Sequence, residues 1–161
     1  MEEITETYDP QWYDQWKSGT LREEWLAKYP WLAEYVSEAR NQPEYHFGEW
    51  LTAIRYHKKG WKVLVEKYMF RKHKKLYGIA EKLVGKDEIN IVQEQQGSGV
   101  RQAPDLLVYK DNGEYFFVEV KKNRDDLSQS QKEHFKRIEQ ELKCNVVIVN
   151  LIQRKGYLLD V

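Results

Sequence analysis

The strongest constraint on the fold of this chain is a hairpin pattern in its second half. The apolar stretch Leu106–Tyr109 is followed by the turn residues Asp111-Asn112-Gly113, and then by the stretch YFFVEVK at 115–121. An Asn-Gly turn between two stretches rich in β-branched and aromatic residues is a strong signal for a tight connection between antiparallel strands. The sequence therefore predicts a β-hairpin at this point.

Helices and further strands are predicted on either side of the hairpin. Some segments repeat apolar residues at helical spacing, whereas others are short and rich in β-branched residues. The predicted elements are helices at 11–40 (divided at Pro30), 43–59 and 70–84, a helix beginning at Ser128, and strands at 61–68, 88–93 and 145–151. This order predicts an α/β fold with a mixed central sheet flanked by helices. We place a boundary after residue 42, which separates an N-terminal helical extension at 1–42 from the main domain at 43–161.

Composition places few limits on partners but excludes several classes of protein. The chain has 161 residues and one cysteine, Cys144, so no internal disulfide and no multi-cysteine zinc site is available. No apolar run approaches the roughly 20 residues that span a bilayer, and the acidic N-terminus does not resemble a signal peptide. We therefore expect a cytoplasmic protein without a membrane segment. The net charge is zero, although acidic residues concentrate in 1–40 and a basic run occupies 71–75.

Tryptophans crowd the N-terminal segment, and two interpretations of them stay open. Thr20 and Glu23 fit a capping box at the start of a helix, and apolar residues then recur at helical spacing. The favoured interpretation is that the tryptophans pack this helix onto the domain; the alternative is an aromatic surface for a partner chain or for bases. The residues concerned are Trp12, Trp16, Trp25 and Trp31.

Three side chains that carry reactive chemistry meet at the end of the hairpin. Because side chains alternate along a strand, Glu119 and Lys121 share one face, and the turn places position 105 opposite about 119 or 120. Two carboxylates so close together repel each other, and a divalent cation such as Mg²⁺ removes that cost. A bound metal activates water, and a lysine nearby stabilises developing negative charge. Asp105, Glu119 and Lys121 thus have the chemistry for phosphodiester hydrolysis.

The spacing of these residues resembles that of a known nuclease superfamily. Pro104-Asp105, thirteen further residues and then Glu119-Val120-Lys121 look like the PD-(D/E)XK signature. The following Asp126-Leu127-Ser128, Gln131 and Phe135 resemble the VRR-NUC branch in particular. The resemblance covers about residues 99–151 and extends less surely back to residue 45.

The resemblance implies a fold and a set of roles. The fold would be a restriction-endonuclease-like αβββαβ core. Asp105 and Glu119, helped by the Val120 carbonyl, would hold Mg²⁺, for which Mn²⁺ would substitute, and Lys121 would position water. Glu49 would contribute a further acidic group near the metal, with Glu66 or Glu81 as alternatives for that role. Gln131 would orient groups near the site or contact DNA, although a capping-box partnership with Ser128 explains it equally well.

The function expected from these features is metal-dependent hydrolysis of DNA, including branched or flap DNA. Expected DNA contacts come from Arg101, beside the Pro104-Asp105 pair, and from the basic run, namely Lys72, Lys74 and Lys75. The resemblance also allows a homodimer. Two alternatives stay open: a non-catalytic DNA-binding or assembly module that retains the nuclease fold, and a scaffold with coincidental carboxylates. The four histidines lack metal-ligand spacing, and core or surface roles are predicted for them.

Overall fold

A five-stranded mixed sheet organises the part of the chain that the computed structural model describes, residues 1–93, 103–123 and 125–155. The strands are β1 Glu2–Tyr8, β2 Lys62–Val65, β3 Leu106–Tyr109, β4 Tyr115–Lys122 and β5 Val146–Gln153. Their order across the sheet is β1-β5-β4-β3-β2. Neighbours among β2, β3 and β4 are antiparallel, whereas β5 lies parallel to β4 and β1 lies parallel to β5.

Helices cover the sheet on its two faces. They are α1 Pro10–Lys17, α2 Thr20–Lys28, α3 Val36–Asn41, α4 Phe47–Lys58, α5 Lys74–Val84, α6 Glu88–Gln93 and α7 Gln129–Leu142, with 3-10 turns at Pro30–Tyr35 and Lys67–Met69. The Tyr56 ring of α4 packs edge-on against Phe116 of β4, 5.4 Å between ring centres, while Gln131 of α7 reaches Glu119 on the opposite face of that strand. The order α4-β2-β3-β4-α7-β5 confirms the predicted restriction-endonuclease-like αβββαβ core. Within the described residues, no helix combines the length and apolar content needed to cross a bilayer.

The predicted hairpin is confirmed, and its turn fixes the register of β3 and β4. Gly113 adopts φ +92°, a conformation that favours glycine, and its N–H donates to the Lys110 carbonyl. Leu106 pairs with Val118 and Tyr109 with Tyr115, as expected for strands joined by a short loop. Asp105, the residue before β3, therefore comes to lie beside Glu119.

The apolar run at 145–151 is also confirmed as a strand. Residues Val146, Val147, Ile148 and Val149 of β5 are all buried, because β5 is central between β1 and β4 and has helices over it. Such continuous burial is typical of a strand that is covered on both faces.

Two of the predicted strands differ from the structure. Residues 88–93 form the helix α6 rather than a strand, so that prediction was wrong. Ile89 and Val92, three residues apart, are both fully buried, which is helical spacing in a stretch too short to distinguish by composition. The strand predicted at 61–68 ends at Val65, because Glu66 adopts φ +57° and the chain then turns into a 3-10 helix.

The N-terminal segment contributes more than helices. Residues Glu2–Tyr8 form the edge strand β1, which the helical prediction missed because acidic residues interrupt its alternation; Ile4, Glu6 and Tyr8 are nonetheless the less exposed positions. The predicted Thr20 cap was wrong, since Gly19 occupies the cap position of α2 and no side chain bonds there. The division of the chain after residue 42 stays a prediction.

The predicted packing of the tryptophans is confirmed for the larger part of the cluster. Trp16 is fully buried, and its ring lies edge-on to Trp50 of α4 with 5.2 Å between centres. Trp25 stacks on Phe47, and Trp31 lies against His57. Trp12 differs, because 36% of it remains exposed. The N-terminal helices and α4 therefore share one aromatic core.

Candidate active site

Asp105 and Glu119 are held together by the backbone at the open end of the hairpin. Glu119 Oε1 accepts a hydrogen bond from the Asp105 N–H at 3.1 Å, and Asp105 Oδ2 accepts one from the Val120 N–H at 2.9 Å. Glu119 is only 5% exposed although it is charged at neutral pH in an ordinary setting. Each carboxylate is thus oriented by the strand that carries its neighbour, and the predicted proximity is confirmed.

Lys121 and Gln131 complete the group on the same face of the sheet. The Lys121 ammonium lies 3.6 Å from Glu119 Oε2 and donates to Gln131 Oε1 at 3.2 Å. The Gln131 amide donates in turn to Glu119 Oε2 at 3.0 Å. Gln131 Oε1 also accepts from the Ser128 N–H, so the predicted capping box is confirmed as well. The two interpretations of Gln131 are therefore compatible, because one side chain caps α7 and bridges Lys121 to Glu119.

A second group of polar side chains approaches from α4 and from the end of β2. His46 Nδ1 lies 2.7 Å from Glu66 Oε2, and possible ligand atoms of His46, Glu49 and Glu66 all lie within 4.8 Å of one another. The Glu66 N–H donates to the Asp105 carbonyl at 2.7 Å, which ties this group to the hairpin. Gly48 allows α4 to lie close to the sheet, because a Cβ at this position would come within 3.1 Å of the Val120 and Leu151 side chains.

Several acidic side chains lie close together where the two groups meet. Burial raises the pKa of Asp105 well above its usual range, and the carboxylates of Glu119 and Glu49 raise it further. Burial, followed by the charge of Glu66, raises the pKa of Glu49 to about 7. Burial also raises the pKa of Glu119, although Lys121 opposes the effect. Carboxylates that are buried together in this way disfavour one another's ionisation.

Glu66 favours the protonated form of His46 in the second group. Burial alone would lower the pKa of His46, but the hydrogen bond and the charge of Glu66 raise it above the usual value. Sequence reasoning missed His46, for which it predicted a core or surface role. No sequence pattern indicated that His46 would meet Glu66. The meeting depends on backbone angles, φ +73° at His46 and φ +57° at Glu66, that the tertiary structure imposes.

The donor set fits a hard divalent cation. Mg²⁺ and Mn²⁺ favour carboxylate, carbonyl and water oxygens. Asp105 and Glu119 supply two carboxylates side by side, and Glu49 lies near enough for its charge to act on Asp105. The pKa values of these carboxyl groups are raised by burial and by mutual repulsion, and a bound cation would relieve the repulsion. Glu49 belongs to both groups, since its charge acts on Asp105 and its oxygen lies near His46 and Glu66.

Two clefts with different lining residues contain the side chains of this centre. The first, here called the Phe70 cleft, has a volume of about 310 Å³ and is lined by Glu66, Phe70, Asp105, Glu119 and Gln131 among others. The second, the Tyr45 cleft, has about 320 Å³ and is lined by Tyr13, Tyr45, His46, Glu49, Lys121 and Lys122 among others. Two hydrogen bonds, His46–Glu66 and Lys121–Gln131, each join a residue of the Tyr45 cleft to a residue of the Phe70 cleft.

The remaining predicted residues are less uniformly placed. Lys72 lies beside the Phe70 cleft, its ammonium 6.0 Å from the centre of the Phe70 ring, and Lys74 begins α5 as an exposed residue. Lys75 is engaged elsewhere, in an ion pair of 2.8 Å with Glu34. Arg101 lies outside the described residues. Of the alternatives to Glu49, Glu66 reaches the centre, whereas Glu81 is carried by α5 and lines neither cleft among the described residues.

The fold and the Asp…Glu-x-Lys arrangement define a restriction-endonuclease-like domain of the PD-(D/E)XK type. A family model, the VRR-NUC domain, matches residues 50–150, which include Glu66, Asp105, Glu119, Lys121 and Gln131. The chain therefore belongs to the VRR-NUC domain family, a nuclease-type family, and the predicted resemblance is confirmed. Searches among curated proteins and among solved structures gave no match.

Proposed function

We propose that this chain is a divalent-metal-dependent DNA endonuclease whose reaction centre is Asp105, Glu119 and Lys121. The observation that carries the proposal is the joining of a buried carboxylate (Glu119), a half-buried one (Asp105) and one ammonium at the end of the hairpin, with 3.6 Å between Lys121 and Glu119. Membership of a nuclease-type family supports the same reaction class.

The proposed ligands of Mg²⁺ or Mn²⁺ are the carboxylates of Asp105 and Glu119 and the carbonyl of Val120, with Glu49 nearby to hold a water molecule. When bound, the metal would lower the pKa of the attacking water and offset charge on the phosphate. The two hairpin carboxylates are preset for this by their bonds to the backbone N–H groups of Asp105 and Val120.

Lys121 has the geometry to act on the phosphate or on the attacking water. Its ammonium is held between Glu119 and Gln131, so its direction is fixed before substrate arrives. A fixed cation stabilises negative charge that develops in the transition state without reorganisation. Gln131 acts as a positioning residue, because its amide touches Glu119 and Lys121 at once.

The proposed DNA contacts are Lys72, Lys74, Lys75 and Arg101. Lys72 is exposed beside the Phe70 ring and Lys74 is exposed two residues further on, and cations there would meet phosphates and give salt-dependent affinity. Lys75 would have to release Glu34 to contribute. A preference for branched or flap DNA, and a homodimeric state, are further parts of the proposal.

Cleavage assays with matched variants test the proposal. Supercoiled plasmid, single-stranded DNA, a flap and a four-way junction are incubated with wild type, Asp105→Ala and Asp87→Ala in Mg²⁺, Mn²⁺ or EDTA at low salt. Asp87 is an exposed acidic residue that lines neither cleft, and it serves as the control. Cleavage that needs a divalent cation and is lost only in Asp105→Ala is expected. A folded wild type that cleaves no substrate with either metal would overturn the proposal and favour the binding-module alternative.

A further inference from the structure

The two most exposed aromatic rings of the described residues stand at the two clefts of the candidate site. Tyr45 is 66% exposed and lines the Tyr45 cleft, while Phe70 is 51% exposed and lines the Phe70 cleft. An aromatic ring left in water forgoes the free energy that burial would provide. Two such rings, one in each of two clefts that contain carboxylates of the same site, indicate a ligand that covers both.

The backbone under each ring is held in place. The Tyr45 N–H donates to Gln42, and its carbonyl accepts from the indole N–H of the buried Trp16 at 3.0 Å. The Phe70 N–H donates to Lys67, and its carbonyl accepts from the His73 N–H. The rings therefore project from fixed points, and little backbone entropy would be lost if a flat ligand stacked on them.

A lysine lies beside the Phe70 ring, and another lines the Tyr45 cleft. The Lys72 ammonium lies near the Phe70 ring, and Arg71 and Lys74 follow in the same exposed run. In the Tyr45 cleft, the Lys122 ammonium lies 3.8 Å from the centre of the Tyr13 ring. An aromatic platform with cations beside it suits a nucleic-acid strand whose bases are free to stack and whose phosphates need neutralising.

We propose that Phe70 and Tyr45 stack unpaired bases on the two sides of the carboxylate centre, so that the strand crossing the site is single-stranded. The proposal rests on the proposed function in taking the carboxylates as the place of the scissile phosphate. Paired bases are stacked within a duplex and would have to be extruded, at a cost in free energy, before they could reach these rings. Unpaired bases in a flap, a gap or a free strand avoid that cost.

Binding without cleavage tests the proposal. Fluorescence anisotropy is measured in EDTA with labelled oligothymidine and with a labelled hairpin duplex of equal length, for wild type, Phe70→Ala, Tyr45→Ala and Trp12→Ala. Trp12 is the matched control, because it is also an exposed aromatic residue yet lines neither cleft. Thermal unfolding confirms that each variant folds, and Tyr45→Phe and Phe70→Trp test whether a ring alone suffices.

Each alanine variant at a platform is expected to lose roughly tenfold in affinity for oligothymidine, as stacking on one ring is worth about 1–3 kcal/mol per base. Duplex affinity should change less than about twofold, and the salt dependence should stay constant because no charge is removed. The ring-retaining variants and Trp12→Ala should bind like wild type.

Two results would overturn the proposal: unchanged oligothymidine binding by the folded alanine variants, or an equal loss on the duplex. The outcome is separable from that of the proposed function. Wild-type cleavage together with unchanged binding by the variants refutes the stacking alone. A selective binding loss in a protein that cleaves nothing refutes the nuclease alone.

Discussion

The two groups that form the candidate site are built on different principles. The hairpin half, Asp105, Glu119, Lys121 and Gln131, is a chain of complementary contacts in which each carboxylate meets an N–H or an ammonium group. The helix half, His46, Glu49 and Glu66, gathers two carboxylates around one imidazole. Both halves retain repulsion between carboxylates that a cation would relieve. In the first half, however, backbone N–H groups and the Lys121 ammonium offset part of that repulsion.

The difference extends to the backbone. The hairpin half stands on regular strands and on a capped helix, whereas His46 and Glu66 each adopt a positive φ. Such conformations cost about 1–3 kcal/mol each for residues other than glycine, and they persist only where the surrounding packing imposes them. We therefore expect the hairpin half to be preorganised and the helix half to contain backbone strain. Substitutions in the two halves should then differ in their effects on cleavage and on stability.

Replacing Lys121, the ammonium group of the hairpin half, is expected to have the largest effect on DNA cleavage. Lys121→Met should lower the rate of DNA cleavage by about 10²- to 10³-fold, because a fixed cation at developing charge is lost. Lys132→Met, at an exposed position of α7, is the control and should stay close to wild type. Single-turnover cleavage of a labelled oligonucleotide measures the rate, and equal rates for Lys121→Met and wild type would remove Lys121 from the chemistry.

Metal addition should stabilise the fold through the carboxylates of both halves. At one hundred times its dissociation constant, a cation that binds only the folded state adds about 2.7 kcal/mol to the free energy of unfolding. Thermal unfolding of wild type is expected to shift upward as Mn²⁺ or Mg²⁺ is titrated. The same titration of an Asp105→Asn, Glu119→Gln double variant should produce little shift. A wild type that is indifferent to millimolar concentrations of either metal would contradict the assignment of these ligands.

The sequence predicted the hairpin half well because that half depends on local geometry. A tight turn fixes the register of two strands, so the distance in sequence between Asp105 and Glu119 translates directly into a cross-strand neighbourhood. Lys121 follows from strand alternation, and Gln131 from its place one turn into a capped helix. Each inference needed only a few residues of context.

The helix half could be predicted only in part. Glu49 and its alternative Glu66 were recognised as acidic candidates, but their meeting with His46 depends on the packing of α4 against β4 and on the chain reversal at Glu66. The same limit explains the other errors. The strand β1 depends on a parallel partner at the far end of the chain, and the helix α6 on burial of Ile89 and Val92.

Neutralising Glu49, in the helix half, should stabilise the metal-free protein. The folded-state pKa of about 7 lies above the ordinary value of 4.5, so the ionised form is disfavoured by folding. The folded state therefore holds more protons between these values, and wild-type stability falls as the pH rises through that window. In EDTA at pH 8, Glu49→Gln should gain on the order of 2 kcal/mol, and the gain should shrink towards pH 5.

Urea unfolding at the two pH values measures this gain. Glu24→Gln, at an exposed position of α2, is the control and should show no comparable gain. A Glu49→Gln variant less stable than wild type at pH 8 in EDTA would show that Glu49 is held by favourable contacts rather than by repulsion, and the contrast between the halves would disappear.

The smallest expected effects distinguish the two roles of Gln131, which are capping α7 and bridging Lys121 to Glu119. Ser128→Ala removes the side-chain cap of α7 but leaves the Gln131 contacts to Glu119 and Lys121, so it should cost about 1 kcal/mol of stability and little cleavage. Gln131→Ala removes the bridge as well, and loss of such a supporting contact is expected to lower cleavage about 10-fold or somewhat more. Unfolding and cleavage measured on both variants distinguish the duties. Equal cleavage by the two would mean that Gln131 serves the helix alone, and the hairpin half would then be positioned by its strands without help from α7.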